Sequence, residues 1–156
     1  MVKSYRGVEK AKPTKDISLP VTVRDHMTTK LVTFHPDQTI NVVVDKLLDK
    51  RISGAPVVDD EGKLVGVISE GDCLKQVVKG KYNNHPTLHG RVSEYMAQDV
   101  KHVDPDLNIF ELAQMFLNLR LRRFPVLENG RLIGQISQKD VMRAVIQLGS
   151  LQANRI

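Results

Sequence analysis

Two stretches of the chain share one hydrophobic rhythm. Ile40, Val43, Val44, Leu47 and Leu48 fall at i, i+3, i+4, i+7 and i+8, and Ile109, Leu112, Ala113, Phe116 and Leu117 repeat that spacing. Such a stripe predicts an amphipathic helix with one buried face in each stretch. Thr39 and Asn108 stand where N-caps belong, and Glu111 completes a capping-box pattern with Asn108. Each helix is followed by two apolar runs, APVV and KLVGVI in one case, FPVL and RLIGQI in the other. These predict β-hairpins, because Asp60-Glu61-Gly62 and Asn129-Gly130 supply the turn chemistry. A second helix then follows, with Leu74, Val77 and Val78 as its apolar members in the first case and Val141, Met142, Val145 and Ile146 in the second. Strand-like stretches, LVTF and VKHV, precede the first helices, and short turns at Val23–Met27 and Val92–Met96 precede those.

The shared rhythm is an internal repeat. Met27 and Met96, Pro36 and Pro105, Ile40 and Ile109, and Pro56 and Pro125 are each 69 residues apart. Beyond the hairpin turn the separation is 68, as in Gly62 and Gly130, Gly66 and Gly134, Ser69 and Ser137, Asp72 and Asp140. The lost residue falls in the turn, where DDEG shortens to ENG, and turns tolerate such changes. The expected fold class is α/β (α+β), built from two β-α-β-β-α repeats packed by pseudo-twofold symmetry, with clefts between them. The expected organisation is a basic arm over 1–19, a first repeat over 20–80, a linker over 81–91, a second repeat over 92–148 and a tail over 149–156.

Composition narrows the function classes. The chain has 156 residues, 41% hydrophobic and 26% charged, as expected of a globular protein. Aromatic residues make up 4%, too few for a platform that stacks single-stranded nucleic acid. The formal net charge is +5, part of it from Lys3, Arg6, Lys10, Lys12 and Lys15 in the arm. That arm reads as a solvated tail, or as one that touches an acidic partner, nucleic acid or a neighbouring subunit. Cys73 is the single cysteine, so no internal disulfide forms and a reducing compartment is expected. It has no nearby histidine and reads as a structural thiol. No apolar leader and no membrane span are evident, and the expected location is cytoplasmic. His85 and His89 are four apart, but Pro86 and nearby Asn and Gly place them in a loop, and no metal is assigned. P-loop, dinucleotide and nucleophile-elbow motifs are missing, so an enzyme is not expected.

Three features remain as candidate chemistry. Ser69-x-x-Asp72 and Ser137-x-x-Asp140 each open a helix, and a serine N-cap with an acid at N3 is explained by helix initiation alone. Gly66 and Gly134 interrupt apolar strands, where close approach of a helix to the sheet would account for them. Arg120, Arg122 and Arg123 read either as the basic end of a helix or as a phosphate clamp.

The pattern T-x-x-P, then SGAPVVD, then LVGVIS-x-x-D, found twice over Val21 to Leu148, resembles a tandem cystathionine-β-synthase (CBS) domain pair, a Bateman module. It leaves no catalytic domain over. The resemblance implies a regulatory module that binds adenosine nucleotides, with AMP the expected ligand, in clefts between the repeats, and that signals to an unidentified partner protein. No cofactor is required. It implies that Asp140 receives ribose hydroxyls, that Ser137 and nearby amides meet phosphate, that Thr33 shares the cleft with Asp140, and that backbone near Ser53 meets adenine. The expected nucleotide-binding set is Thr33, Ile52, Ser53, Gly54, Ala55, Arg122, Arg123, Ile136, Ser137 and Asp140. A second, weaker cleft is expected at Ser69, Asp72 and His102, where histidine replaces the usual hydroxyl. The surplus apolar residues of the last helix imply a homodimer. The alternative reading is a basic nucleic-acid-binding or assembly protein that uses the pair as a dimerisation scaffold.

Overall fold

The computed structural model describes residues 19–81 and 87–153. The basic arm up to residue 18 and His85 lie outside the described residues. The elements are, in order, α1 (Val23–His26), α2 (Ile40–Lys50), β1 (Gly54–Val58), β2 (Leu64–Ser69), α3 (Glu70–Lys81), α4 (Val92–Tyr95), α5 (Ile109–Leu119), β3 (Arg123–Glu128), β4 (Arg131–Ser137) and α6 (Gln138–Ala153).

They gather into two compact units that cut across the sequence repeats. One unit holds residues 19–31, 101–129 and 133–153; the other holds Val32–Val100 with Gly130–Leu132. The cause is the unpaired amides and carbonyls around the start of each long helix. In the unit of Val32–Val100, Ile40 N–H donates to Gly90 O at 2.8 Å and Asn41 N–H to Leu88 O at 2.9 Å. In return Val92 N–H donates to Gln38 O and Ser93 N–H to Pro36 O. The other unit uses the same scheme: Ile109 N–H to Val21 O at 2.8 Å, Val23 N–H to Leu107 O and Arg24 N–H to Pro105 O. Each lead-in thus closes on the helix of the repeat it does not precede. Arg24 adds a bond to Glu128, which holds its guanidinium even more firmly charged than usual.

Each unit carries a two-stranded sheet, β1–β2 or β3–β4. The hairpin turns form as expected, with Gly62, Asn129 and Gly130 at positive φ. The stretches LVTF and VKHV do not become full strands. Each contributes one parallel bridge, Phe34 to Val57 and Val103 to Val126. Asn108 caps α5 by accepting from Phe110 N–H, not through a box with Glu111.

Each core is built from the predicted helix faces. Ile40, Val43 and Leu47 pack with Val57, Ile68 and Val92; Leu112 and Phe116 pack with Phe124, Ile136 and Val23. The Phe116 and Phe124 rings lie 4.8 Å apart, the only clear aromatic pair among the described residues. Gly66 and Gly134 have a different cause from the helix approach expected. The residues just after each lead-in helix cross the strand there. A Cβ on Gly66 would lie 2.6 Å from Met96 Sδ and 2.8 Å from Ala97 O; one on Gly134 would lie 2.6 Å from Met27 Sδ and 3.1 Å from Thr28 O. Bridges from Val67 to Ala97 and from Gln135 to Thr28 hold these crossings in place.

Gly66→Ala is therefore expected to destabilise the protein by about 1–3 kcal/mol in urea unfolding, since the Ala97 carbonyl cannot swing aside as a side chain can. Gly71→Ala is the control. Its nearest neighbour is Ser69 Oγ at 3.7 Å, within a helix, and it should be neutral or stabilising by up to about 1 kcal/mol.

Candidate functional site

Both expected Ser-x-x-Asp motifs form reciprocal caps. Ser69 N–H and Oγ–H donate to Asp72 Oδ2 at 2.9 and 3.0 Å, and Asp72 N–H returns to Ser69 Oγ at 3.4 Å. Ser137 and Asp140 match this at 2.8, 2.9 and 3.2 Å. One carboxylate oxygen of each aspartate is thus saturated by its own serine. The other meets a flexible cation: Lys75 Nζ lies 3.5 Å from Asp72 Oδ1, and Arg143 Nη1 lies 3.3 Å from Asp140 Oδ1. Both cations are largely exposed, and ion pairs of that kind add little, so each Oδ1 is an acceptor open to exchange.

The strand starts lie beside these caps. Ser53 O accepts from Glu70 N–H at 2.9 Å, and Arg122 O accepts from Gln138 N–H at 3.0 Å. Gly54 pairs with Ser69, and Ala55 with Ile68, across β1 and β2. The structure therefore brings Ile52, Ser53, Gly54, Ala55, Ser69 and Asp72 together in one unit. It brings Arg122, Arg123, Ile136, Ser137 and Asp140 together in the other. Thr33 belongs to the unit of Asp72, and His102 to the unit of Asp140.

Their side chains are not equally free. Arg122, Arg123, Ser53 and Thr33 are exposed, and His102 is half-buried. Ile136 and Ala55 are buried in the cores, so they can offer a ligand only their backbone. Thr33 lines a hollow of about 490 Å³ with Phe34, Gln38 and Val42. Ile52 and Ser53 line an apolar groove of about 800 Å³ with Leu48, Arg51, Leu74 and Leu88.

Comparison with known proteins settles the kinship. The profile of the CBS domain family matches residues 23–79 and 92–147. The chain belongs to the CBS-domain family. The crystal structure of CBSX2 in complex with AMP is 31% identical, with 83% of this chain and 98% of that one covered and a TM-score of 0.71. A putative acetoin utilization protein (AcuB) from Vibrio cholerae is 26% identical, with a TM-score of 0.75, and covers 87% of this chain and 98% of its own. An uncharacterised 17.7 kDa protein of Acidianus ambivalens is 29% identical over 80% of this chain. The chain spans 73%, 41% and 64% of the lengths of three curated relatives.

Within this CBS pair, Lys75 and Arg143 are the site residues that the sequence reading passed over. A signal was available, because they sit 68 residues apart, each three residues after its aspartate. Among the described residues there is no His, Cys, Asp and Glu group that could hold a metal ion, and no helix is long and apolar enough to cross a membrane. Cys73 is buried in the core, and that burial, reinforced by Asp72, pushes its thiol pKa up. The native protein at pH 8 should accordingly react with an aromatic disulfide reagent at least ten times more slowly than the urea-unfolded chain, as read by absorbance.

Proposed function

We propose that this CBS pair is a regulatory module that binds an adenine nucleotide, AMP first among candidates, and passes its occupancy to a partner protein. The observation that carries the reading is Asp140 Oδ1, held only by the exposed Arg143, at a helix start whose Gln138 N–H donates to the Arg122 carbonyl. A carboxylate with one oxygen fixed by its own helix cap and the other held only by an exposed, exchangeable cation is a preorganised acceptor for a diol, and ribose supplies one. The α6 amides and the two guanidinium groups suit a phosphate. The likeness to CBSX2 in complex with AMP supports the same choice of ligand. Asp72 and Ser69 would form a weaker second site, since its strand start offers Ser53 and Gly54 in place of the arginines.

The reading also includes self-association. Leu48, Leu74, Val77 and Val78 are exposed on one unit, and their repeat equivalents Leu117, Met142, Val145 and Ile146 are exposed on the other. Leu48 and Leu117 are 73% and 74% exposed, although both belong to the predicted helix stripes. Apolar residues left bare at the same four positions of both repeats are suited to a symmetric interface with a second copy. Sedimentation should give a dimer mass at micromolar protein, and Val78→Glu with Ile146→Glu should give a monomer of unchanged circular dichroism. A monomer in the wild type would count against this part.

Asp140→Ala is expected to weaken AMP binding by roughly ten- to a hundredfold in calorimetry, the loss of a charge-assisted acceptor, with the fold retained. Arg122→Ala with Arg123→Ala should erase the gain in affinity from adenosine to AMP and leave adenosine binding intact. If that double variant instead binds AMP normally but loses oligonucleotide affinity and its salt dependence, the arginines serve nucleic acid and the nucleotide assignment falls.

A further inference from the structure

The two lead-ins make matching hydrogen bonds but are held by unlike chemistry. Over the start of α5, Leu19 and Val21 of one lead-in pack on Ile109, Ala144 and Leu148 in a small apolar cluster. The equivalent positions over α2 are Leu88, Gly90, Ile40, Gln76 and Gly80. A valine, an alanine and a leucine are thus replaced by glycine, glutamine and glycine. Gln76 is 4% exposed, and its Oε1 is buried with no hydrogen-bond partner among the described residues. It lies hard against the strap formed by residues 87–91. A Cβ on Gly90 would fall 2.7 Å from Gln76 Nε2 and 2.7 Å from Tyr95 Cε2. A buried acceptor that water would satisfy, under a strap whose apolar anchor is Leu88 on the core and whose Gly90 replaces the valine of its twin, favours opening of this strap by comparison with that twin.

We propose that residues 87–91 are a strap that opens locally, with the buried Gln76 carbonyl as the wedge, while the equivalent strap over α5 stays shut. Opening releases the carbonyls of Leu88 and Gly90 from the first amides of α2 and lets water reach Gln76. It also withdraws Leu88 from the wall of the groove shared with Ile52 and Ser53. Nothing in this depends on which ligand the pair takes.

Amide hydrogen exchange of the full-length protein, read residue by residue by NMR, tests the strap against its own twin. Ile40 and Ile109 each donate their amide to a strap carbonyl, Gly90 O and Val21 O, at the same 2.8 Å. Ile40 should exchange at least about tenfold faster than Ile109, after correction for intrinsic rates. Gln76→Met keeps the shape and removes the acceptor, and it should slow Ile40 to within about threefold of Ile109 while leaving Ile109 unchanged. In the converse variant, Ala144→Gln, Ile109 should exchange faster and Ile40 should not. Equal protection of Ile40 and Ile109 in the wild type would overturn the proposal. So would an Ile40 rate that Gln76→Met leaves unaltered.

Discussion

The structure depends on how the starts of two long helices are closed. The first amides of α2 and α5 have no partner within their own helices, and the loops just before them carry carbonyls with none either. Both sets are satisfied by a short lead-in that contributes a single helical turn, α4 for one and α1 for the other. Everything downstream follows from that closure. It seats Val92 and Val23 as fully buried core residues, and it lays Met96 and Met27 across the strands at Gly66 and Gly134.

Much of this was legible in the residues. The repeat, the helix stripes, the hairpin turns and the serine–aspartate caps follow from spacing, because each is a local solution to a local problem. The exchange of lead-ins was not legible, and the reason is the repeat itself. Val23 and Val92 are equivalent, as are Met27 and Met96, so either lead-in carries the pattern that either helix start requires. Periodicity cannot distinguish two partners that ask for the same residues. Leu48 and Leu117 show a related blind spot, since an apolar position at helical spacing looks alike whether a core or another molecule covers it.

The candidate site divides in the same way. Asp72 and Asp140 are explained by helix initiation down to the hydrogen bond, and their structural role would hold with no ligand at all. The cap nevertheless consumes only one oxygen of each carboxylate. Arg122 and Arg123 differ from their counterparts Ser53 and Gly54 while the backbone bond behind them is the same, Arg122 O from Gln138 N–H and Ser53 O from Glu70 N–H. The repeats have kept the scaffold and diverged in what it presents, a separation of frame from function that a rigid strand–helix junction allows.

The exchanged lead-ins also set an order on the ribosome. Synthesis runs from the N-terminus, so Leu19 to Leu31 appears well before its packing partners, which begin at Lys101. It must wait through the synthesis of nearly the whole other unit, which has almost all its residues once Val100 is out. During that interval Val23 and Met27 have no core to enter, while the helix start at Ile40, which would accept their pattern, stands exposed until Leu88 to Met96 arrives. The nascent chain thus passes through a window in which two equivalent helix starts and lead-ins are not yet matched, and a lead-in docked early on the wrong start would have to be displaced by the right one.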